Sequence, residues 1–428
     1  MALLFETVPA FEDTWIECLG DLGRYRMAIE DDDQRDREVW TGVARHWYSK
    51  ASDKAPTTGR LYHHLAILAR PNALQQLFYY AKALCVVVPF SSARESILTL
   101  FEPVLTSENG QGQFRLPPLD TAFVKAHGVL FTNREIERYE PAVQEFLSLL
   151  DGQIGRVTRK FMEQGYYISI TNCVASLGFA SKENPLMKAI SPEDEDMEIT
   201  NRGASANELS KWMTSFKHAQ RLRNATLEIV LDRLGDPNVL PFIHCDLVFM
   251  LRMSQHAEAM DLLEADYPFE KLTVMLNTLV AGVDLDKVQN GVFPVPVKDE
   301  ARPLPEDYIL RGILYADHYF PDTWFSTKVD EEEKYQERAS MTAQRKERIL
   351  FVACCIARAG RGLKWDSAKG QFSNAAEAER QITRSSTMES SASATTIGTT
   401  RSATWQTQNT IDDHSDTEDD AHTENLGT

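Results

Sequence analysis

Between Trp40 and Pro89 the apolar positions recur with the period of an α-helix. Trp40, Val43, Ala44, Trp47, Tyr48 and Ala51 fall on one face in the i, i+3, i+4, i+7, i+8, i+11 series. Pro56 stops that helix and Gly59 helps to turn the chain. Tyr62, Leu65, Ala66 and Ala69 mark a second helix. After Arg70-Pro71-Asn72, Leu74, Leu77, Phe78, Ala81, Leu84 and Cys85 mark a third. Tyr48-Ser49-Lys50-Ala51 returns as Tyr80-Ala81-Lys82-Ala83 at an offset of 32 residues, and Pro56 returns as Pro89 at 33. Ala44, Tyr48, Ala51 and Pro56 have the spacing of the second helix of a tetratricopeptide unit, where a small residue admits the paired helix and the proline ends the unit. Tyr80, Ala83 and Pro89 repeat that pattern, so the stretch predicts a stacked helical array.

Upstream, residues 9–30 read as a helix with Phe11, Trp15, Ile16, Leu19 and Leu22 on its apolar side. Gly20 and Gly23 inside it each cost roughly 0.5–1 kcal/mol against Ala, which predicts a close approach to another helix. Downstream, helices are expected at 91–105, from Leu119, at 136–150, 154–180, 208–234, 238–254, 256–264, 268–284 and 331–361. An extended stretch from Val292 to Pro305 interrupts them. No strand-alternating segment of any length is present, so the predicted class is all-α. The division expected is 9–105, 119–365 and a tail, 373–428. The acidic span of about 181–208 and the Ser/Thr-rich acidic tail have compositions that cannot bury a core and are expected to be disordered.

The 428 residues carry a net charge of −18, and from Ser373 onward ten acids face three Arg or Lys. An acidic chain argues against non-specific nucleic-acid binding, which depends on neutralising phosphates. The six cysteines lie in apolar helical runs without metal-ligand spacing, which reads as buried reduced thiols in an intracellular protein. Neither a membrane-spanning run nor a signal peptide is evident.

The chemistry of catalysis is missing from the pattern. There is no phosphate-binding glycine loop, no His-Glu-x-x-His and no Gly-x-Ser-x-Gly. His63 and His64 are neighbours on a helix, so their rings are expected to diverge rather than share a metal, and His127 and His244 read as satisfied core histidines. No enzyme, cofactor or metal is expected. One cluster suggests binding: Arg24, Tyr25 and Arg26. A guanidinium can clamp a phosphate bidentately while a phenol donates to a further oxygen, which suits phosphoserine. The alternative is a surface Arg paired with the acids from Glu30 to Asp33, beside a core Tyr.

The blocks Gly20-Asp21-Leu22-Gly23-Arg24-Tyr25-Arg26, Trp47-Tyr48-Ser49-Lys50-Ala51, Tyr62-His63-His64-Leu65-Ala66-Ile67-Leu68-Ala69 and Phe78-Tyr79-Tyr80-Ala81-Lys82-Ala83-Leu84 resemble the Ever-Shorter-Telomeres family. Weaker echoes stand at Phe123–Gly128 and at Pro303-Leu304-Pro305-Glu306-Asp307-Tyr308-Ile309-Leu310-Arg311-Gly312. The resemblance implies a 14-3-3-like domain with tetratricopeptide units, followed by stacked helical hairpins. It implies a non-enzymatic adaptor of nonsense-mediated mRNA decay that binds a phosphorylated partner, the RNA helicase of that pathway, through residues matching Arg24 and Tyr25. The other role it implies is a telomerase-associated protein that contacts telomerase RNA or single-stranded nucleic acid. Either would work in nucleus and cytoplasm. Only 19 residues precede Gly20, so the upstream helices of the family's phosphate groove are expected to be incomplete here. Where some relatives end in a nuclease domain, this chain has its Ser/Thr-rich tail.

Overall fold

Asp33 opens the helix that the Trp40 stripe predicts. Its carboxylate accepts the amides of Arg35 (2.8 Å) and Asp36 (3.4 Å), capping α3 (Gln34–Lys54). α3 stops two residues before Pro56, as a proline's missing donor requires. α4 (Gly59–Leu68) follows, then α5 (Ala73–Leu84), whose N-cap Asn72 accepts the amide of Gln75 at 3.1 Å. Before them stand α1 (Ala2–Thr7) and α2 (Glu12–Ile29). α2 packs along α3, α3 on α4, and α4 on α5, so the predicted stack is present.

This computed structural model describes residues 2–30, 32–106, 116–191, 206–296, 302–327 and 329–375. The Ser107–Gln113 loop, positions 192–205 of the expected insertion and the tail beyond Ala375 lie outside the described residues.

The two interior glycines are explained by contact. A Cβ at Gly20 would stand 2.9 Å from the Tyr48 ring, and one at Gly23 would stand 3.1 Å from the Ala44 backbone. Thus Ala44 and Tyr48 of the repeat pattern are the surface on which α2 lies.

After α6 (Ala93–Ser96) and α7 (Leu98–Thr106), α8 (Pro118–Thr132) pairs with α9 (Tyr139–Val157). α10 (Lys160–Ser176) is buried almost throughout, its polar Ser169, Thr171, Asn172 and Ser176 being hydrogen-bonded inside the core. It packs on α5 and on α13 (Leu240–Ser254), and α13 packs in turn on α19 (Met341–Arg358). These four helices form the central row of one continuous core. Around the row lie α11 (Pro185–Ile190), α12 (Ala206–Leu231), α14 (Ala257–Leu263), α15 (Phe269–Leu279) and α16 (Leu285–Gln289).

Several expectations change. The span from Ser181 was expected to be disordered, but it contains α11, capped by Asn184 through the amides of Leu186 and Met187. The single helix expected at 331–361 is two, α18 (Glu331–Lys334) and α19, because Lys334 turns aside to pair with Asp53 and Glu337 turns back to Arg345. A short β-hairpin also corrects the expectation of no strands. β1 (Leu363–Asp366) pairs antiparallel with β2 (Gln371–Asn374), Trp365 opposite Phe372, so order extends past the predicted tail boundary at Ser373. All six cysteines are free, but Cys18 and Cys355 are half-buried rather than buried.

The weak echo at 303–312 is a clasp. In α17 (Pro305–Leu310), buried Glu306 accepts from Arg345 Nε (2.6 Å) and Nη2 (3.0 Å). Burial alone would raise its pKa, yet Arg345 and His244 hold the carboxyl well below its usual range. Asp307 accepts the amide of Leu304 and the indole N–H of Trp324, both at 3.0 Å. On the other side Lys82 Nζ donates to the carbonyl of Ile309 at 2.6 Å. Gly312, at φ +81°, passes so close to Pro56 that a Cβ would strike its carbonyl. The clasp fastens the N-terminal repeats to α19.

Candidate functional site

Arg24, Tyr25 and Arg26 occupy the fourth turn of α2. The close approach at Gly20 and Gly23 brings this part of α2 against Tyr48 and sets the direction of Arg24. Arg24 Nε donates to Tyr48 Oη (3.1 Å), Arg24 Nη2 to Asp21 Oδ1 (3.2 Å), and the Tyr48 hydroxyl donates to the same Asp21 oxygen (2.6 Å). Burial works against the guanidinium charge, but Tyr48 and Asp21 together hold the Arg24 pKa above its usual value. Burial and Asp21 likewise push the Tyr48 phenol upward, so it remains a neutral donor.

The three predicted residues separate into two groups. The Arg24 guanidinium lies 4.6 Å from the centre of the Tyr25 ring, so these two stack. Tyr25 is 57% exposed and is not a core residue. Arg26 points elsewhere, pairing with Glu30 and standing 5.8 Å from the Trp40 ring. Arg24 pairs with Asp21 behind it rather than with the acids from Glu30 to Asp33.

Among the other repeat residues, Ala44, Ala51, Tyr80 and Ala83 are buried packing residues. Pro56 offers its carbonyl to the Tyr62 hydroxyl at 2.8 Å, and just before Pro89 the Val88 carbonyl accepts the amide of Gly59 at 2.9 Å. Tyr48 differs from them: it is wholly buried by its ring yet orients Arg24 through its hydroxyl.

Two histidines not assigned to this site belong to it. His64 stacks on Tyr48 with ring centres 4.7 Å apart, and His63 Nε2 meets Ser96 Oγ at 2.9 Å. The two rings touch edge to face at 5.4 Å instead of diverging. Burial, then the Arg24 charge, lowers both pKa values, His64 to about 4, so both rings are neutral near pH 7. The Nδ1 atom of each is buried without a hydrogen-bond partner. Arg60, paired with Glu17 at 2.7 Å, adds a second guanidinium near His64. The signal available in sequence was Asp21 three residues before Arg24, a spacing that places both on one face.

This arrangement offers a fixed guanidinium, an exposed phenol on the same helix and two neutral imidazoles beside a second Arg. It suits an anion with several acceptor oxygens. Ser96 Oγ lies within hydrogen-bond reach of His63 Nε2, but among the described residues no third group orients that ring, whose Nδ1 is buried without a partner. Among the described residues no group of three or more His, Cys, Asp or Glu is placed to hold a metal ion. Of the core histidines, His244 is satisfied at both nitrogens by Glu306 (3.1 Å) and Tyr319 (2.9 Å). His127 is satisfied at Nε2 alone, by Asn172 Oδ1 at 3.0 Å. No described helix is long and apolar enough to cross a membrane.

The family model of the Est1 DNA/RNA-binding domain matches residues 44–320, an interval that holds the repeats and the clasp and begins after Arg24. The telomerase-binding protein EST1A of Danio rerio is 39% identical over 87 residues, covering 20% of this chain and 5% of that protein. The nonsense-mediated mRNA decay factor SMG7 of Danio rerio is 27% identical over 123 residues, 28% of this chain and 9% of the relative. SMG7 of Arabidopsis thaliana is 31% identical over 86 residues, 20% and 8% respectively. The aligned stretches therefore span less than a tenth of each of these relatives. A crystal structure of Est1 and Cdc13 superposes with a TM-score of 0.56, covering 84% of this chain and 70% of that one at 10% identity, a likeness of fold.

Proposed function

The chain belongs to the family of the Est1 DNA/RNA-binding domain, and from that premise we propose that it is a non-enzymatic helical adaptor of mRNA surveillance that grips a phosphorylated protein. The phosphoserine of the partner, the pathway's RNA helicase, would sit against Arg24 and Tyr25, in nucleus and cytoplasm alike. Residues 9–105 would act as the 14-3-3-like part and 119–365 as the helical-hairpin part. The observation that carries this reading is the Arg24 guanidinium, held between Tyr48 and Asp21 next to the exposed Tyr25 ring.

Charge reversal tests it. Arg24→Glu should weaken binding of a peptide doubly phosphorylated on Ser-Gln motifs by about tenfold or more, the scale of losing a charge-assisted bidentate contact. Tyr25→Phe should cost less, since only one hydrogen bond is removed. Unchanged affinity in Arg24→Glu would place the phosphate elsewhere or nowhere on the chain.

The second reading, a telomerase-associated protein that contacts single-stranded nucleic acid, is favoured by the description of the matching family and by the telomerase-binding relative. The net charge of −18 weighs against it.

A further inference from the structure

A cavity of about 300 Å³ opens where α6, the end of α8, the turn after α10 and the start of α12 meet. Its walls are the aromatic and aliphatic side chains of Leu130, Phe131, Phe179, Trp212 and Phe216. Its shape is set by backbone that resists collapse. Gly178, Phe179 and Ala180 all take positive φ, +60°, +53° and +57°, a conformation that side chains larger than hydrogen disfavour. They are held there from two sides. Asn184 Nδ2 donates to the Ser176 carbonyl at 3.1 Å, and Arg94 Nη2 donates to the Phe179 carbonyl at 2.8 Å.

The lining is also electrostatically biased. It holds two cations, Arg94 and Lys211, and one carboxylate, Glu208. Among the described residues neither Arg94 nor Lys211 forms an ion pair, although the chain as a whole is strongly acidic. Both sit at an opening lined by apolar rings. A preformed apolar cavity of this size, with a few polar groups at its edge, has the character of a ligand site.

We propose that this cavity docks a short linear segment of a partner protein in which one large aromatic or aliphatic side chain stands beside Asp or Glu. The apolar side chain enters between Phe131, Phe179 and Trp212, and the neighbouring carboxylate bonds Arg94 and Lys211. The cavity has room for one or two large side chains, which suits an extended peptide. Its positive edge selects an acidic neighbour by charge complementarity. The site is separate from the Arg24 cluster and needs no phosphate. α6 touches both, since Ser96 meets His63 while Arg94 meets the cavity wall.

The test is fluorescence anisotropy of the full chain with a labelled unphosphorylated peptide, Ser-Gly-Asp-Phe-Glu-Asp-Gly, and with versions carrying Leu or Ala for Phe. The Phe and Leu peptides should bind about tenfold or more tightly than the Ala peptide, the difference made by burying one large apolar side chain. Lys211→Glu, on the exposed side of α12, should weaken the Phe peptide several-fold, and a peptide with Lys for the three acids should recover on that variant. Trp212 emission should shift on binding, and the shift should vanish in Trp212→Phe. Arg94→Glu is the stronger change but also frees the Phe179 carbonyl, so Lys211→Glu is the deciding variant. Equal binding of the Phe and Ala peptides, no binding of either, or indifference to Lys211→Glu would overturn the proposal.

Discussion

At the scale of single residues, the phosphate proposed for this site would have to compete with Asp21 for the same guanidinium. Arg24 already shares its charge with Asp21 at 3.2 Å, and the Tyr48 hydroxyl bonds the same oxygen. On the proposed reading a phosphate would replace one anion with another of greater charge rather than fill an empty site. Away from this site His127 makes a separate, testable contribution. Its Nε2–H donates to Asn172, while Nδ1 is buried without a partner, so protonation would strand a charge in the core. Burial accordingly pushes its pKa down to about 3, against about 6.5 when unfolded. Above pH 6.5 the ring is neutral in both states and its contribution to stability is complete. As pH falls from 6.5 toward 3 the unfolded chain takes up a proton that the native state refuses, and stability drops by about 1.4 kcal/mol per pH unit from this ring. Urea unfolding between pH 7 and 5 should show a shallower acid loss in His127→Gln than in the parent. Equal slopes would mean that the native state opens to hydrate the ring. Residue by residue, Gly20 and Gly23 were legible because glycine in a helix needs a reason. Tyr48 as the partner of Arg24 was not legible, since the two are joined across helices rather than along one. Buried charges were equally hidden. Arg223 bonds Asp246 at 2.8 and 2.9 Å with both side chains almost wholly enclosed, yet an Arg inside a helical run reads in sequence as a surface residue.

At the scale of elements, the approach of α2 to α3 sets the site, and two glycines on these helices should respond oppositely to substitution. Gly23→Val would press branched methyls into Ala44 and force the helices apart, costing about 1–3 kcal/mol. It should also weaken phosphopeptide binding, although Arg24 itself is untouched. Gly42, in α3, has nothing within 4 Å of a Cβ, so Gly42→Ala should raise stability by roughly 0.5–1 kcal/mol through helix propensity. Thermal melts of the two variants check the signs. A neutral Gly23→Val would show that α2 is held less closely than its contacts imply. Helices with an apolar stripe were readable, as α3 and α5 show. The 331–361 region misled because its charged first half has no stripe. Its chain path is set by Lys334 with Asp53 and by Glu337 with Arg345, partners far away in sequence or across a turn. The β-hairpin has strands of four residues, too short to display alternation, and Asp366 and Gly370 shape its turn.

At the scale of the whole molecule, the clasp at 303–312 makes the repeats and the later helices parts of one packed body. Lys82 and Pro56 meet it from the repeats, and Arg345 meets it from α19. Charge separates what the two proposed readings predict at this scale. An acidic surface should give little affinity for single strands. If telomeric-repeat DNA or RNA does bind, its affinity must fall steeply with salt, with a slope of about −0.7 for each phosphate neutralised. A flat or absent signal between low and physiological salt would remove the nucleic-acid reading. The adaptor reading rests most directly on one comparison, the calorimetric affinity of the chain for a doubly phosphorylated Ser-Gln peptide and for the same peptide without phosphate. Phosphorylation should strengthen binding by at least about tenfold, and Arg24→Glu should erase the difference. Equal affinity for the two peptides would contradict phosphate recognition by this protein.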